Sequence, residues 1–247
     1  MIELYDVGFA YSGGADALRD VSFSVGQGEL VGLVGANGHG KSTLLALLAG
    51  LYSPTSGFLT VHGHASPGAE KAIRGSAALV LQEAELQVLG ATVGEDLCLG
   101  LESDPLKRDE AKELAARLGL SAWDAPVQTL SFGQKRKLCL AGALLRSPSV
   151  LLLDEPFSGL DYPGAREMRG LLAENKRAGL TQVVAAHDVE PLADLADRWL
   201  VLRSGGLAAQ GMAADVFPRL ESFDVRPPCG WRNEGANVLE SRPGGDW

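Results

Sequence analysis

The sequence predicts an α/β fold with a mainly parallel sheet at its centre. Three observations carry that reading. Short continuous apolar runs of the buried-strand kind recur, LVGLV at 30–34 and VLLLD at 150–154 among them. Stretches with a 3.6-residue period, such as KRDEAKELAARLG at 107–119, stand between such runs. The two kinds alternate along the chain, which is the order of βαβ units.

Taken in order, MIELYDVGFA reads as the start of a strand and lacks the basic region of an export signal. LVGLV is followed by a glycine-rich turn and the helix STLLALLAG. FLTVH at 58–62 alternates as a half-buried strand does, and AALVLQ at 77–82 is a further strand. The helix at 107–119 stops at Gly119. SVLLLDEP is a core strand ending in acids. After it come a helix GAREMRGLLAENKRAG at 164–179, a strand QVVAAH at 182–187, a helix PLADLAD at 191–197 and a strand RWLVL at 198–202. His62 and His64 flank Gly63, which places them at a hairpin in a small β lobe rather than at a metal site. From about Arg219 the chain is rich in Pro, Gly and polar residues without a period, so residues 219–247 read as a loosely ordered tail.

Composition narrows the function classes. Of the 247 residues 46% are hydrophobic and 21% charged, enough for a full globular core. The net charge of −9 argues against a nucleic-acid binder driven by bulk electrostatics. Cys98, Cys139 and Cys229 are far apart with no CxxC pair, which fits a reducing compartment and neither a disulfide framework nor a zinc site. The longest apolar run, LLALLAGLY at 44–52, is about half of the roughly 20 residues that span a bilayer. The chain therefore reads as soluble, reaching a membrane only through a partner.

The chemistry concentrates at two places. GANGHGKS at 35–42 fits the phosphate-loop pattern G-x-x-x-x-G-K-[ST] and lies between a strand and a helix, where that pattern works. Its glycines let successive N–H groups turn toward phosphates. Lys41 reaches the β/γ-phosphates, Ser42 ligates Mg²⁺, and His39 is a bystander pointing outward. At the tip of the second buried strand, Asp154 can hold Mg²⁺ and Glu155 can polarise an attacking water. Together these indicate a nucleotide triphosphatase.

LSFGQKRKLCLAGALL at 130–145 adds a polar Ser-Phe-Gly-Gln turn, three cations (Lys135, Arg136 and Lys137) and an apolar helical pattern. A helix start favours an anion, phosphate first. The three cations read as a solvated face near phosphates.

GANGHGKST, LSFGQ, VLLLDEP, SGLD and AAHD, in that order, resemble the nucleotide-binding subunit of an ABC (ATP-binding cassette) ATPase over roughly residues 1–218. The resemblance implies a P-loop NTPase of ABC type. Its parallel sheet core carries a small antiparallel β lobe and a helical signature lobe at about 84–146. Tyr11 stacks on adenine. The stretch from Gly35 through Asn37, Gly38, Gly40, Lys41 and Ser42 to Thr43 is the Walker A loop. Gln82 senses Mg²⁺ and the transporter, Asp154 and Glu155 are the Walker B pair, Asp161 belongs to the D-loop, and His187 is the switch histidine. Ser131, Gly133 and Gln134 of the signature bind the γ-phosphate of ATP held by a second ATPase subunit, so two chains pair head to tail. Phe132 departs from the family's commonest glycine.

A finer resemblance lies in LQEAELQVLGATVGEDLCLG. Gln82, Gln87, Thr92-Val93, Glu95-Asp96 and Gly100 are similar to energy-coupling-factor (ECF) transporter ATPases, which often read Q-N-P-D-D-Q before T-V-x-E-D. Glu85 matches one of those acids only in kind, and Leu86 replaces the other. This implies ATP and Mg²⁺ as cofactors. It also implies a place on the cytoplasmic face of the membrane and, as partners, a membrane coupling protein and a substrate-binding membrane protein. The cargo is a transition metal (cobalt or nickel) or a vitamin such as biotin, and no nucleic acid is expected. The alternative is a soluble ABC ATPase acting on DNA or ribosomes. Such DNA-acting relatives carry a long coiled coil between the nucleotide motifs, and no heptad run separates Lys41 from Ser131.

Overall fold

The computed structural model describes residues 1–14, 16–101, 105–120 and 122–231. Its elements are β1 (Ile2–Ala10), β2 (Asp16–Val25), β3 (Leu30–Val34), α1 (Lys41–Leu48), β4 (Ser56–Val61), β5 (His64–Ser66), α2 (Glu70–Ser76) and β6 (Ala77–Val80). There follow α3 (Val93–Cys98), α4 (Pro105–Arg117), α5 (Phe132–Leu145), β7 (Val150–Asp154), α6 (Tyr162–Arg177), β8 (Thr181–Ala186), β9 (Arg198–Arg203), β10 (Gly206–Gly211) and α7 (Ala213–Val216). The larger sheet runs β10-β9-β3-β8-β7-β6, parallel throughout except for β10, which closes the edge antiparallel to β9. The smaller sheet, β2-β1-β4-β5, is antiparallel.

The central strands are apolar without interruption because both faces of their sheet are covered. Val31 and Leu33 of β3, Val150 and Leu152 of β7, and Val183 and Ala185 of β8 face one core, shared with α1 and the small sheet. The alternate residues Leu30, Val34, Leu151, Leu153, Val184 and Ala186 face a second core with α5 and α6. Gly32 of β3 leaves room for Trp199: a Cβ there would lie 2.5 Å from two atoms of the indole ring, which is fully buried. A third core holds Val93, Leu97, Ala111, Leu118, Leu138 and Leu145 of α3, α4 and α5 and the turn that follows α4. His62 and Gly63 make the β4–β5 hairpin turn, both at positive φ.

Two expectations change. PLADLAD forms only a short 3₁₀ turn, Glu190–Leu192, instead of a helix. Asp197, the last residue of that stretch, donates its N–H to the Leu30 carbonyl at 2.8 Å and accepts the Leu30 N–H on its carboxylate at 2.9 Å, which pins the chain beside β3 before β9 begins. Packing also continues beyond residue 218. A 3₁₀ helix at Phe217–Phe223 buries Phe217, Leu220 and Phe223, Val225 is buried after it, and Trp231 meets Phe217 edge-on at 5.1 Å. Residues 232–247 of the expected loose tail lie outside the described residues.

Candidate nucleotide-binding and hydrolysis site

Strand register places the site. Val34 pairs with Ala186 across β3 and β8, and Asp154 pairs with Ala185 across β7 and β8. The residues leaving these three neighbouring strands, Gly35, Glu155 and His187, therefore emerge side by side at the carboxyl edge of the sheet, where open α/β sheets gather ligands.

The loop after β3 turns on glycine. Gly35 and Gly40 have φ of 152° and 97°, and a Cβ would lie 2.3 Å from the Leu202 carbonyl oxygen at the first and 2.7 Å from the Ala17 carbonyl oxygen at the second. Gly38 (φ 79°) and Asn37 are exposed at the crest. His39 does not point outward as expected: it is half-buried, with Nδ1 3.3 Å from the Leu202 carbonyl. Lys41, the first residue of α1, is buried and donates to the carbonyls of Gly35 at 2.7 Å and Ala36 at 3.4 Å. Tyr11 is exposed, stands edge-on to Phe9 at 5.0 Å, and shares a 3.0 Å hydrogen bond with the Thr43 hydroxyl. That bond anchors the ring beside the loop while leaving a face open.

The acids follow β7. Asp154 is buried, which pushes its carboxyl pKa up. The Ser42 hydroxyl bonded to it opposes the rise, neighbouring Glu155 adds to it and Lys41 opposes it. Glu155 adopts a left-handed backbone (φ 48°). Its Oε2 accepts the His187 backbone N–H at 3.2 Å and lies 2.6 Å from His187 Nδ1. Its Oε1 is buried, finds no hydrogen-bond partner and lies 3.6 Å from Lys41 Nζ. An orphaned carboxylate oxygen beside a phosphate-type lysine suits a group that brings its own proton, such as a water. Ser42 and Asp154 form an all-oxygen donor pair of the kind a hard divalent cation takes.

The remaining predicted residues stand apart from this cluster. Gln82 is exposed just past β6, with its carbonyl held by Arg136 at 2.7 Å. The expected Ser-Phe-Gly-Gln turn is the start of the helix itself: Ser131 caps α5, accepting the Gln134 N–H at 3.2 Å, and Gln134 Oε1 accepts the Ser131 N–H at 2.9 Å. Gly133 lies in the first turn of α5, whose N–H groups have no acceptor inside the helix. Asp161 caps α6 by accepting the Gly164 N–H at 3.0 Å. Thr92, Glu95 and Asp96 accept N–H groups of the turn around α3, and Gln87 bridges Leu81 N–H and the Leu79 carbonyl.

The three cations of the signature helix are not a common solvated face. Lys135 pairs with Glu85 at 3.2 Å and Lys137 with Glu167. Arg136 is fully buried.

Comparison with known proteins decides the family. The ABC transporter family matches residues 18–158. The chain belongs to the ABC transporter family. This ABC ATPase is 42% identical over 231 residues to the cobalt import ATP-binding protein CbiO of Rhodobacter capsulatus, spanning 89% of this chain and 82% of that one. It is 36% identical over 226 residues to the energy-coupling factor transporter ATP-binding protein EcfA of Methanothermobacter thermautotrophicus, spanning 88% and 72%. Among solved structures it resembles CbiO1 of Clostridium perfringens, described as part of an ABC transporter complex, with a TM-score of 0.78 at 32% identity over 90% and 92% of the two chains. A dimeric ATP-binding cassette bound to ADP and phosphate gives a TM-score of 0.78 at 26% identity over 86% and 99%. Like them this chain is an ATP-binding, ATP-hydrolysing protein, and no helix among its described residues is long and apolar enough to cross a membrane.

Proposed function

We propose that this chain is the ATP-hydrolysing subunit of an ECF-type importer of cobalt, nickel or a vitamin such as biotin. The observation that carries it is the meeting of Lys41, Ser42, Asp154, Glu155 and His187 at the carboxyl ends of β3, β7 and β8, within an ATPase whose relatives are named for cobalt import and energy coupling. In this reading Tyr11 covers the adenine and the loop from Gly35 to Thr43 wraps the phosphates. Lys41 binds the β/γ-oxygens, and Ser42, Asp154 and Gln82 would hold Mg²⁺, whose charge would offset that of the phosphates. Glu155 receives a proton from the attacking water, and His187 keeps that carboxylate aimed while facing the γ-phosphate.

The first-turn N–H groups of α5, with Ser131, Gly133 and Gln134, serve the nucleotide of a second copy, as does Asp161 at the start of α6. The chain thus works as a head-to-tail pair seated peripherally on membrane partners. A groove of about 520 Å³ with a mixed lining, apolar at Leu51, Leu89, Leu99 and Leu101 and charged at Arg74 and Asp96, supports docking of a membrane coupling protein beside the glutamine loop. Of the leucines and valines between Gln82 and Asp96, Leu86 and Leu89 face solvent, whereas Val88 packs into the cores and Val93 is buried.

A mixed pair tests the composite site. One copy carries Ser131→Arg and the other Glu155→Gln. Head-to-tail closure puts both defects in one site and leaves the other intact, giving about half of wild-type turnover per pair if sites act independently. Two equally crippled sites would refute the arrangement. Reconstitution with a membrane coupling protein and a substrate-binding membrane protein, followed by uptake of labelled cobalt, nickel or biotin, assigns the cargo.

A further inference from the structure

Arg136 takes no part in the hydrolysis scheme, yet it is the largest buried charged side chain among the described residues. Its Nη1 donates to the carbonyls of Glu155 at 3.0 Å, Pro156 at 2.9 Å and Ser158 at 2.6 Å, and its Nη2 donates to the Gln82 carbonyl at 2.7 Å. One guanidinium on the signature helix therefore holds the backbone on both sides of the site, the loop that carries the acid and the loop that carries the glutamine. Its hold on the acid loop begins at a strained point: Glu155 sits at φ 48°, which only glycine adopts freely. The Glu155 N–H is fixed to the Ala185 carbonyl at 2.9 Å and the Glu155 carbonyl to Arg136, so the left-handed turn that aims the carboxylate is held from both ends. Burial draws the guanidinium pKa down from its ordinary value, and the charge of Glu155 counters this.

Phe132 completes the arrangement. Its ring covers Arg136, with the guanidinium carbon 4.7 Å from the ring centroid, and lies against Gly159, where a Cβ would come within 3.1 Å of it. The residue that departs from the family's glycine is thus the lid over the buried cation.

We propose that Arg136 is a positioning residue for ATP hydrolysis, fixing the strained Glu155 backbone and the Gln82 loop in one register with the signature helix. This rests on the assignment of Glu155 as the base. Loss of the guanidinium takes a donor from four carbonyls, leaving that of Glu155 only the Ser158 N–H at 3.1 Å, and lets the acid loop relax, so the carboxylate loses its aim while the phosphate loop, on another element, still binds nucleotide.

The test uses the full chain with ATP and Mg²⁺, comparing Arg136→Gln, Arg136→Lys and a control, Leu140→Ala, which removes buried volume from the same helix. Turnover, KM and thermal unfolding are measured for each. Arg136→Gln should lower kcat by about tenfold or more with KM for ATP within about twofold, since misplacement of a catalytic group by ~1 Å acts on kcat. Lysine offers three N–H groups at one nitrogen, so it serves the 155–158 carbonyls without reaching Gln82; Arg136→Lys should recover part of that loss. Leu140→Ala should lower Tm with kcat retained. Folded Arg136→Gln turning over at the wild-type rate would overturn the proposal. So would a kcat loss in Leu140→Ala matching that of the Arg136 variants at equal loss of Tm. If Arg136→Gln does not fold, Arg136→Lys becomes the deciding variant, and wild-type kcat there overturns the proposal. A Glu155→Gln control that hydrolyses normally would sink the base assignment instead, a result readable apart from the Arg136 series.

Discussion

Glu155→Gln should separate chemistry from binding in this protein, because the two oxygens of the carboxylate have different surroundings. Oε2 accepts the His187 backbone N–H and lies 2.6 Å from His187 Nδ1, and an amide oxygen can still accept from both, though more weakly than a carboxylate, so the rotamer and the His187 contact are kept. Oε1 lies 3.6 Å from Lys41 with no hydrogen-bond partner, and there the amide presents N–H groups that cannot take a proton from water. A positioned general base contributes about 10²–10⁴ in rate. At about 1.4 kcal/mol per factor of ten this is roughly 3–6 kcal/mol on the barrier. Lys41 keeps its carbonyl contacts at Gly35 and Ala36, so the phosphate loop retains its shape. Single-turnover phosphate release at saturating ATP and Mg²⁺ should fall about 10²-fold or more, with ATP affinity in an equilibrium titration unchanged within about threefold. Turnover within tenfold of wild type, or an affinity loss as large as the rate loss, would refute the reasoning.

Lys41→Ala should act on the other quantity. Losing charge-assisted bonds of about 1.5–3 kcal/mol weakens ATP binding roughly 10- to 100-fold, and an unchanged titration would contradict the assignment. For Asp154 the sign runs against stability. Burial raises its folded pKa above the ordinary 3.8, so the ionised side chain destabilises the ligand-free fold, a penalty that sets in as pH rises past 3.8 and levels off above the raised folded pKa. Asp154→Asn should therefore raise Tm at pH 7 and not at pH 3 while abolishing Mg²⁺-dependent hydrolysis; a lower Tm at pH 7 contradicts the burial argument. Leu220→Ala should cost about 2–5 kcal/mol in urea unfolding, because Leu220 is fully buried beyond the expected domain end; a neutral result would show that the segment adds nothing to the core. Leu89→Asp, at an exposed leucine, should leave folding and ATP binding intact and weaken co-purification with the membrane coupling protein; normal assembly would place docking elsewhere.

How far the sequence could be read follows from which signals are local. LVGLV, VLLLD and QVVAA were legible because strands covered on both faces are apolar at every position. The phosphate loop was legible because its glycines and lysine act within eight consecutive residues. β2 and β10 were harder. One buries residues irregularly through its bulges with β1, and the other, GLAAQG, is an edge strand with two glycines and small side chains. The segment after 216 carried a signal of the wrong period: Phe217, Leu220 and Phe223 recur every three residues, which a 3₁₀ helix stacks on one face and a 3.6-residue search passes over.

Arg136 was hidden for a deeper reason. A cation flanked by two others reads as surface, since arginine is almost never fully buried without partners. Its partners here are backbone carbonyls lying 19, 20, 22 and 54 positions away, and a carbonyl has the same identity at every residue, so no side-chain pattern announces it. Glu155 and Gln82 are proposed from their side chains. What holds their loops in place is a backbone acceptor set that exists only once β6, β7 and α5 have packed. In an ATPase of this kind the parts that touch phosphate can be read one motif at a time, whereas the part that aligns the motifs with one another is written in the fold.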